Sequence, residues 1–162
     1  MTWEYCEQWS NLLEEPMAPM SAAQAAQRHA AGKLYTAVQS SGGNGSPLLR
    51  VEVRLETGYV SVIFMDQRGR DELSCTFSVV GNRLFLQAVT FYSYGDSEEC
   101  GGYAVVESLE TYEFQQGGVV CRTLDEAGER HRESRSGIDV SGQWENLPDF
   151  VEYDFLIRRE RS

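Results

Sequence analysis

Leu49-Arg50-Val51-Glu52-Val53-Arg54-Leu55-Glu56 decides the fold, because apolar residues hold every second position and a charge stands at each position between them. A period of two sets Leu49, Val51, Val53 and Leu55 on one face of a β-strand, against a core, and sends Arg50, Glu52, Arg54 and Glu56 to water. Leu73, Cys75, Phe77 and Val79 repeat the pattern, alternating with Glu72, Ser74, Thr76 and Ser78, before a Gly81-Asn82 turn.

Working outward, the alternation predicts strands at 48–56, 59–67, 72–80, 83–94, 103–116, 119–125 and 129–136, after a first strand over Lys33 to Ser40. Thr57-Gly58, Arg68-Gly69-Arg70-Asp71, Gly81-Asn82, Gly95 to Gly102, Gln116-Gly117-Gly118 and Ala127-Gly128 separate them. Such links are too short for parallel crossovers and dictate hairpins. Residues 84–92 are apolar on both faces, which predicts a central strand covered on its second side by the N-terminal helices. Glu129-Arg130-His131-Arg132-Glu133 is charged throughout, as an outer strand protected from edge-to-edge pairing would be.

The N-terminal segment differs. Trp3, Cys6, Trp9 and Leu13 fall near helical spacing and predict an amphipathic helix ended by Pro16. Met17 to Met20 reads as a connector. Ser21 then N-caps an alanine-rich helix through Ala31, with Gly32 placed to stop it. Gly42-Gly43-Asn44-Gly45-Ser46-Pro47 is a loop, and without a following Lys-Ser/Thr it is not a phosphate cradle. At the C-terminal end, Trp144, Phe150 and Phe155 are expected on a short helix or turn that packs on the end of the sheet. The expectation is one α+β domain over 1–162. Residues 1–32 form a helical segment, and 33–136 a twisted, open or half-closed antiparallel meander of about six to eight strands packed by two N-terminal helices. Residues 137–162 supply a C-terminal turn with a short helix or strand.

The chain has 162 residues, with 25 acidic against 14 basic side chains and a formal charge of -11. No basic surplus exists to neutralise phosphates, so nucleic-acid binding is disfavoured, whereas a basic protein would be attracted. The first residues lack a positive n-region and an apolar core, and no run approaches a membrane span, so the expected location is cytoplasmic. Cys6, Cys75, Cys100 and Cys121 are dispersed and read as reduced thiols, with no close pairs for zinc or redox chemistry. His29 and His131 stand alone, and His29 reads as an exposed helix residue. No catalytic motif occurs, and neither a catalytic residue, a cofactor nor a metal is expected. A Cys121–His131 pair across a hairpin would be the one nucleophile arrangement, and Glu110, if it faces inward, the one acid with raised proton affinity.

The remaining concentration of chemistry is Tyr92 to Tyr103, where Asp96, Glu98 and Glu99 lie among Tyr92, Tyr94 and Tyr103. Acids beside rigid tyrosines suit capture of a basic partner. A small acidic domain with a hairpin-rich sheet and this acidic-aromatic loop resembles the immunity proteins that bacteria encode beside polymorphic toxins. The resemblance implies a monomer or weak dimer that occludes the active site of a toxic effector enzyme, such as a nuclease or an NAD-consuming toxin. It would act as a protein inhibitor rather than as an enzyme. The alternative is a cystatin-like or lipocalin-like ligand carrier or small enzyme, with Tyr59, Phe64, Phe85, Phe91, Tyr112 and Phe114 lining a pocket inside the curved sheet.

Overall fold

The computed structural model describes residues 2–40, 47–98 and 105–160. Its elements run β1 (Trp3–Ser10), β2 (Glu15–Met20), α1 (Ala22–Ala30), β3 (Tyr35–Ser40), β4 (Pro47–Arg54), β5 (Tyr59–Met65), β6 (Asp71–Val80), β7 (Arg83–Ser93), β8 (Ser108–Gln115), β9 (Val119–Glu126), β10 (Glu129–Arg135) and β11 (Trp144–Asn146). All eleven strands join one antiparallel sheet in the order β10-β9-β8-β7-β6-β5-β4-β3-β1-β2. β11 pairs with Arg83 to Phe85, the first residues of β7, while β8 takes the later part of the same strand from Ala88.

The expected sheet of six to eight strands with two N-terminal helices is corrected to eleven strands and one α-helix among the described residues. The first predicted helix is a β-hairpin: Tyr5 opposes Met20 and Cys6 opposes Pro19. Aromatic side chains at Trp3, Tyr5 and Trp9 suit a pleated surface, and this outweighs their near-helical spacing. Pro16 and Pro19 are tolerated because β2 is an edge strand. In the strand order β2 and β10 are the two end strands and do not pair with each other. Only the second helix forms as α1, with a reciprocal Ser21–Gln24 capping box at its start. Gly32, at φ 69°, ends it, and its carbonyl accepts the Glu56 amide at 2.9 Å.

One face of the sheet carries the core. Val51, Val53, Val60 and Val62 are fully buried there, with Phe77, Leu84 and Leu86 beside them. Each such side chain contributes about 1.5–3 kcal/mol on burial. α1 lays Ala25 on this face, and the C-terminal segment adds Tyr153 and Leu156, both fully buried. Of the short helix or strand expected in the C-terminal segment, the strand forms, as β11, followed by turns. On the second face of β7, Phe85 is packed by the Trp144 side chain of the neighbouring strand β11 and not by N-terminal helices, with ring centroids 4.9 Å apart. By contrast, no described residue of β8, β9 or β10 is buried, and β10 is exposed throughout. These three strands form a wing that extends beyond the core.

A bulge positions the candidate site. Phe64 opposes Leu73, but Met65 opposes Asp71, leaving Glu72 as the extra residue. Strict alternation would put Asp71 with Leu73 on the core face. The bulge turns it to the other face, which carries Met65, Ile63 and, across from Ile63, Arg50.

Candidate functional site

Arg50 is the hub of that second face. The sequence sends it to water, yet it is only 2% exposed. Its Nη1 and Nη2 donate to Asp71 Oδ1 and Oδ2 at 2.8 and 3.0 Å, Nη2 also to Asn11 Oδ1 at 2.9 Å, and Nε to Glu52 Oε1 at 3.2 Å. The guanidinium carbon lies 5.8 Å from the centre of the Trp9 ring. Burial works against the charge, but the Asp71 and Glu52 carboxylates more than offset it and hold the Arg50 proton more tightly than usual. Such a paired buried charge adds little net stability, whereas removing one partner leaves the other stranded.

From this hub two loops are tied together. The Asp71 carbonyl accepts the Tyr94 hydroxyl at 2.6 Å, and the Arg70 guanidinium lies 4.1 Å over the Tyr94 ring. Burial, then the nearby Asp71 and Asp66, push the Tyr94 hydroxyl well above its ordinary proton affinity, so it stays a donor. Arg70 also donates to Asp66 Oδ2 at 2.7 Å and to the Ser97 carbonyl at 2.8 Å. Asp66 Oδ1 accepts the amides of Arg68 and Arg70, both at 2.9 Å, which fixes the β5–β6 turn. The tip of the β1–β2 hairpin, this turn and the 94–98 loop therefore meet as one surface. The cleft between them, lined by Trp9, Asn11, Glu14, Gly69, Arg70, Asp71 and Tyr94, has about 10 Å³ of free space and holds no more than a water.

The residues expected to bind a partner fall unevenly on this surface. Tyr94 is half-buried and braces the loop from beneath. Tyr92, at the end of β7, reaches Ser74 Oγ at 3.4 Å. Glu98 is exposed but held by Arg68 at 3.0 Å, and Asp96 is exposed with no ion pair among the described residues. Glu99 and Tyr103 lie outside the described residues. What sequence reasoning missed is the hairpin tip: Leu12 is 75% and Leu13 62% exposed, followed by Glu14 and Glu15. Two adjacent exposed leucines were the available signal, hidden by assigning them to a helix.

Several other expectations are resolved by geometry. His29 is not an exposed helix residue: its Nδ1 lies 2.9 Å from the Tyr35 hydroxyl, which lies 2.8 Å from the Tyr153 hydroxyl. Cys121 opposes Ser134 while His131 opposes Leu124, so the two point to opposite faces and form no nucleophile pair. Glu110 accepts from Arg122 at 2.5 Å and Tyr112 at 2.8 Å; these bonds lower its proton affinity, opposite to the rise expected of an unpaired inward acid. The six proposed pocket aromatics do not converge. Phe64 is in the core, Phe85 is under Trp144 on the other face, and Phe91 meets Tyr112 edge-on in the wing at 6.3 Å. Among the described residues, no three His, Cys, Asp or Glu gather to hold a metal ion, and no helix is long and apolar enough to cross a membrane. Comparison with protein-family models, with characterised proteins and with solved structures returns no match.

Proposed function

We propose that this chain is a binding protein whose hairpin tip and 94–98 loop dock together on a basic protein partner, in the manner of an immunity-type inhibitor covering a toxic enzyme's active site. The observation that carries this reading is the Leu12-Leu13 pair. Exposed leucines on a free loop would be a solubility liability, but here Asn11 is anchored to the buried Arg50, so the pair is presented on a braced turn. Glu14 and Glu15 follow it directly, and Asp96 and Glu98 stand on the neighbouring loop. An apolar centre with an acidic rim is the arrangement in which charges steer a basic partner and buried side chains then hold it. The surplus of 25 acidic over 14 basic residues extends the attraction over the whole molecule.

The test begins with the partner recovered from the source cell and purified. Replacing Asp96 and Glu98 with lysine should slow association, most at low salt. Leu12→Ser with Leu13→Ser should speed dissociation by about tenfold or more. A stoichiometric amount of the parent protein should also abolish the partner's enzymatic activity. Parent-like kinetics in both variants would remove this surface from the interface, and full partner activity in the complex would remove the inhibitory role.

A further inference from the structure

The core face of the sheet continues past the point where its cover ends. Register carries it outward from the buried Leu73 and Cys75: Phe91 opposes Leu73 and Val89 opposes Cys75, then Glu110 and Tyr112 follow on β8, and Leu124 and Arg122 on β9. Tyr153 and Leu156 belong to the buried cluster that holds Leu73 and Cys75, and the packing fades through the partly buried Val89 and Phe114. Phe91 stands beyond it, 46% exposed. Beside it runs an open groove of about 440 Å³, lined by Tyr112, Phe114, Val120, Arg122, Arg135 and Ile138. We propose that this face of the wing is the interface of a weak, two-fold symmetric dimer, in which Phe91 of each copy enters the groove of the other.

Three observations favour a second copy over other occupants. A two-fold interface pairs a surface with itself, so it needs a projection and a recess on one face. The wing has both side by side: the Phe91 ring meets Tyr112, part of the groove's lining, edge-on with centroids 6.3 Å apart. The recess is also braced. The Ile138 amide donates to the Gly118 carbonyl at 3.0 Å, and Gly118, at φ 79°, has no room for a side chain, since a Cβ would come within 2.7 Å of the Ile138 carbonyl oxygen. This close approach holds the chain after β10 against the β8–β9 turn and fixes the groove's Ile138 side. Charge then decides between a copy and a basic partner. The face carries Glu110 and Glu133 against Arg122 and Arg135, and Arg122 already bridges both acids, at 2.5 and 3.4 Å. A neutral, internally paired face has no charge for a basic protein to seek, and it is where two chains of charge -11 can meet without setting acid against acid. With strands about 4.8 Å apart and about 3.3 Å per residue, the end of β7 with β8 to β10 covers roughly 20 by 25 Å, so two copies would bury about 1,000 Å². That is the lower limit for a specific interface, and it sets the expected affinity in the micromolar range or weaker.

The proposal does not rest on the partner interface, whose Leu12, Leu13, Asp96 and Glu98 lie outside β8 to β10 and the groove. Sedimentation equilibrium of the parent chain from about 5 to about 500 μM, spanning affinities of that order, should show a mass rising from 18.3 kDa toward twice that value. Amide shifts of the ¹⁵N-labelled protein should change on dilution over residues 89–92, 110–114, 120–124 and 133–138, as one symmetric set. Phe91→Asp and, separately, Ile138→Asp should each weaken the dimer at least about tenfold. Both side chains are exposed, so the circular dichroism of each variant should match the parent's. If Phe91→Asp fails to fold, Ile138→Asp alone decides. Leu12→Ser with Leu13→Ser should leave the dimer unchanged. A single 18.3 kDa species over the whole range, association that survives both wing variants, or association lost with the leucine variant instead would overturn the proposal. So would a parent that stays single while the same wing residues shift on adding the purified partner, because the face would then belong to that partner.

Discussion

Arg50 shows how a single side chain can reverse its sequence-level reading. It sits in the charged half of an alternating strand, yet it is enclosed because Asp71, Asn11, Glu52 and Trp9 gather over it. Arg50→Ala should therefore destabilise the fold by about 3–5 kcal/mol, far beyond a surface arginine, since Asp71 is left charged and unpaired. Urea unfolding would measure this, and a loss under about 1 kcal/mol would show that the pair is solvated. His29 offers a second test at this scale. Burial lowers its proton affinity, with the Asp149 charge opposing. The unfolded chain thus takes up a proton near the ordinary value of about 6.5 while the folded one resists it. The stability linked to His29 is present above that value and is lost as the pH falls below it. Comparing parent and His29→Gln at ~pH 5 and ~pH 8 isolates this from the carboxylates, and the variant should show the flatter profile.

At the scale of elements, the sequence made the strands from β3 to β10 legible because alternation and turn residues agree there. The N-terminal hairpin was not legible. Trp3, Cys6, Trp9 and Leu13 fit a helix in isolation, and only pairing with β3, where Tyr5 opposes Ala37, rewards the extended form. Nor could alternation reveal the bulge at Glu72, since that extra residue is defined by the partner strand; the Arg50–Asp71 site was hidden with it. Tyr94 was singled out as an anchor for a partner, but its hydroxyl is spent inside the molecule on the Asp71 carbonyl. The β9–β10 turn carries a testable imperfection. Ala127 and Gly128 both have positive φ, 52° and 80°, and alanine meets a steric penalty there that asparagine largely escapes. Ala127→Asn should stabilise the hairpin by about 1 kcal/mol, read as slower amide hydrogen exchange in β9 and β10. Unchanged exchange would mean that the turn does not limit opening.

For the molecule as a whole, buried side chains concentrate between β1 and β7, while the wing of β8 to β10 contributes none. Amide exchange should accordingly fall into two tiers, with the wing opening well before β4, β5 and β6. Uniform protection across all strands would show one cooperative unit instead. The open sheet also has two ends, and they are built differently. β2 carries Pro16 and Pro19 within its six residues, so it is short of amide donors; β10 presents Glu129, Arg130, His131, Arg132, Glu133 and Arg135 to solvent. A second molecule arriving end-on finds either missing rungs or a row of hydrated charges. Growth of an endless ribbon by edge-to-edge pairing therefore has no ready starting point at either terminus of the sheet.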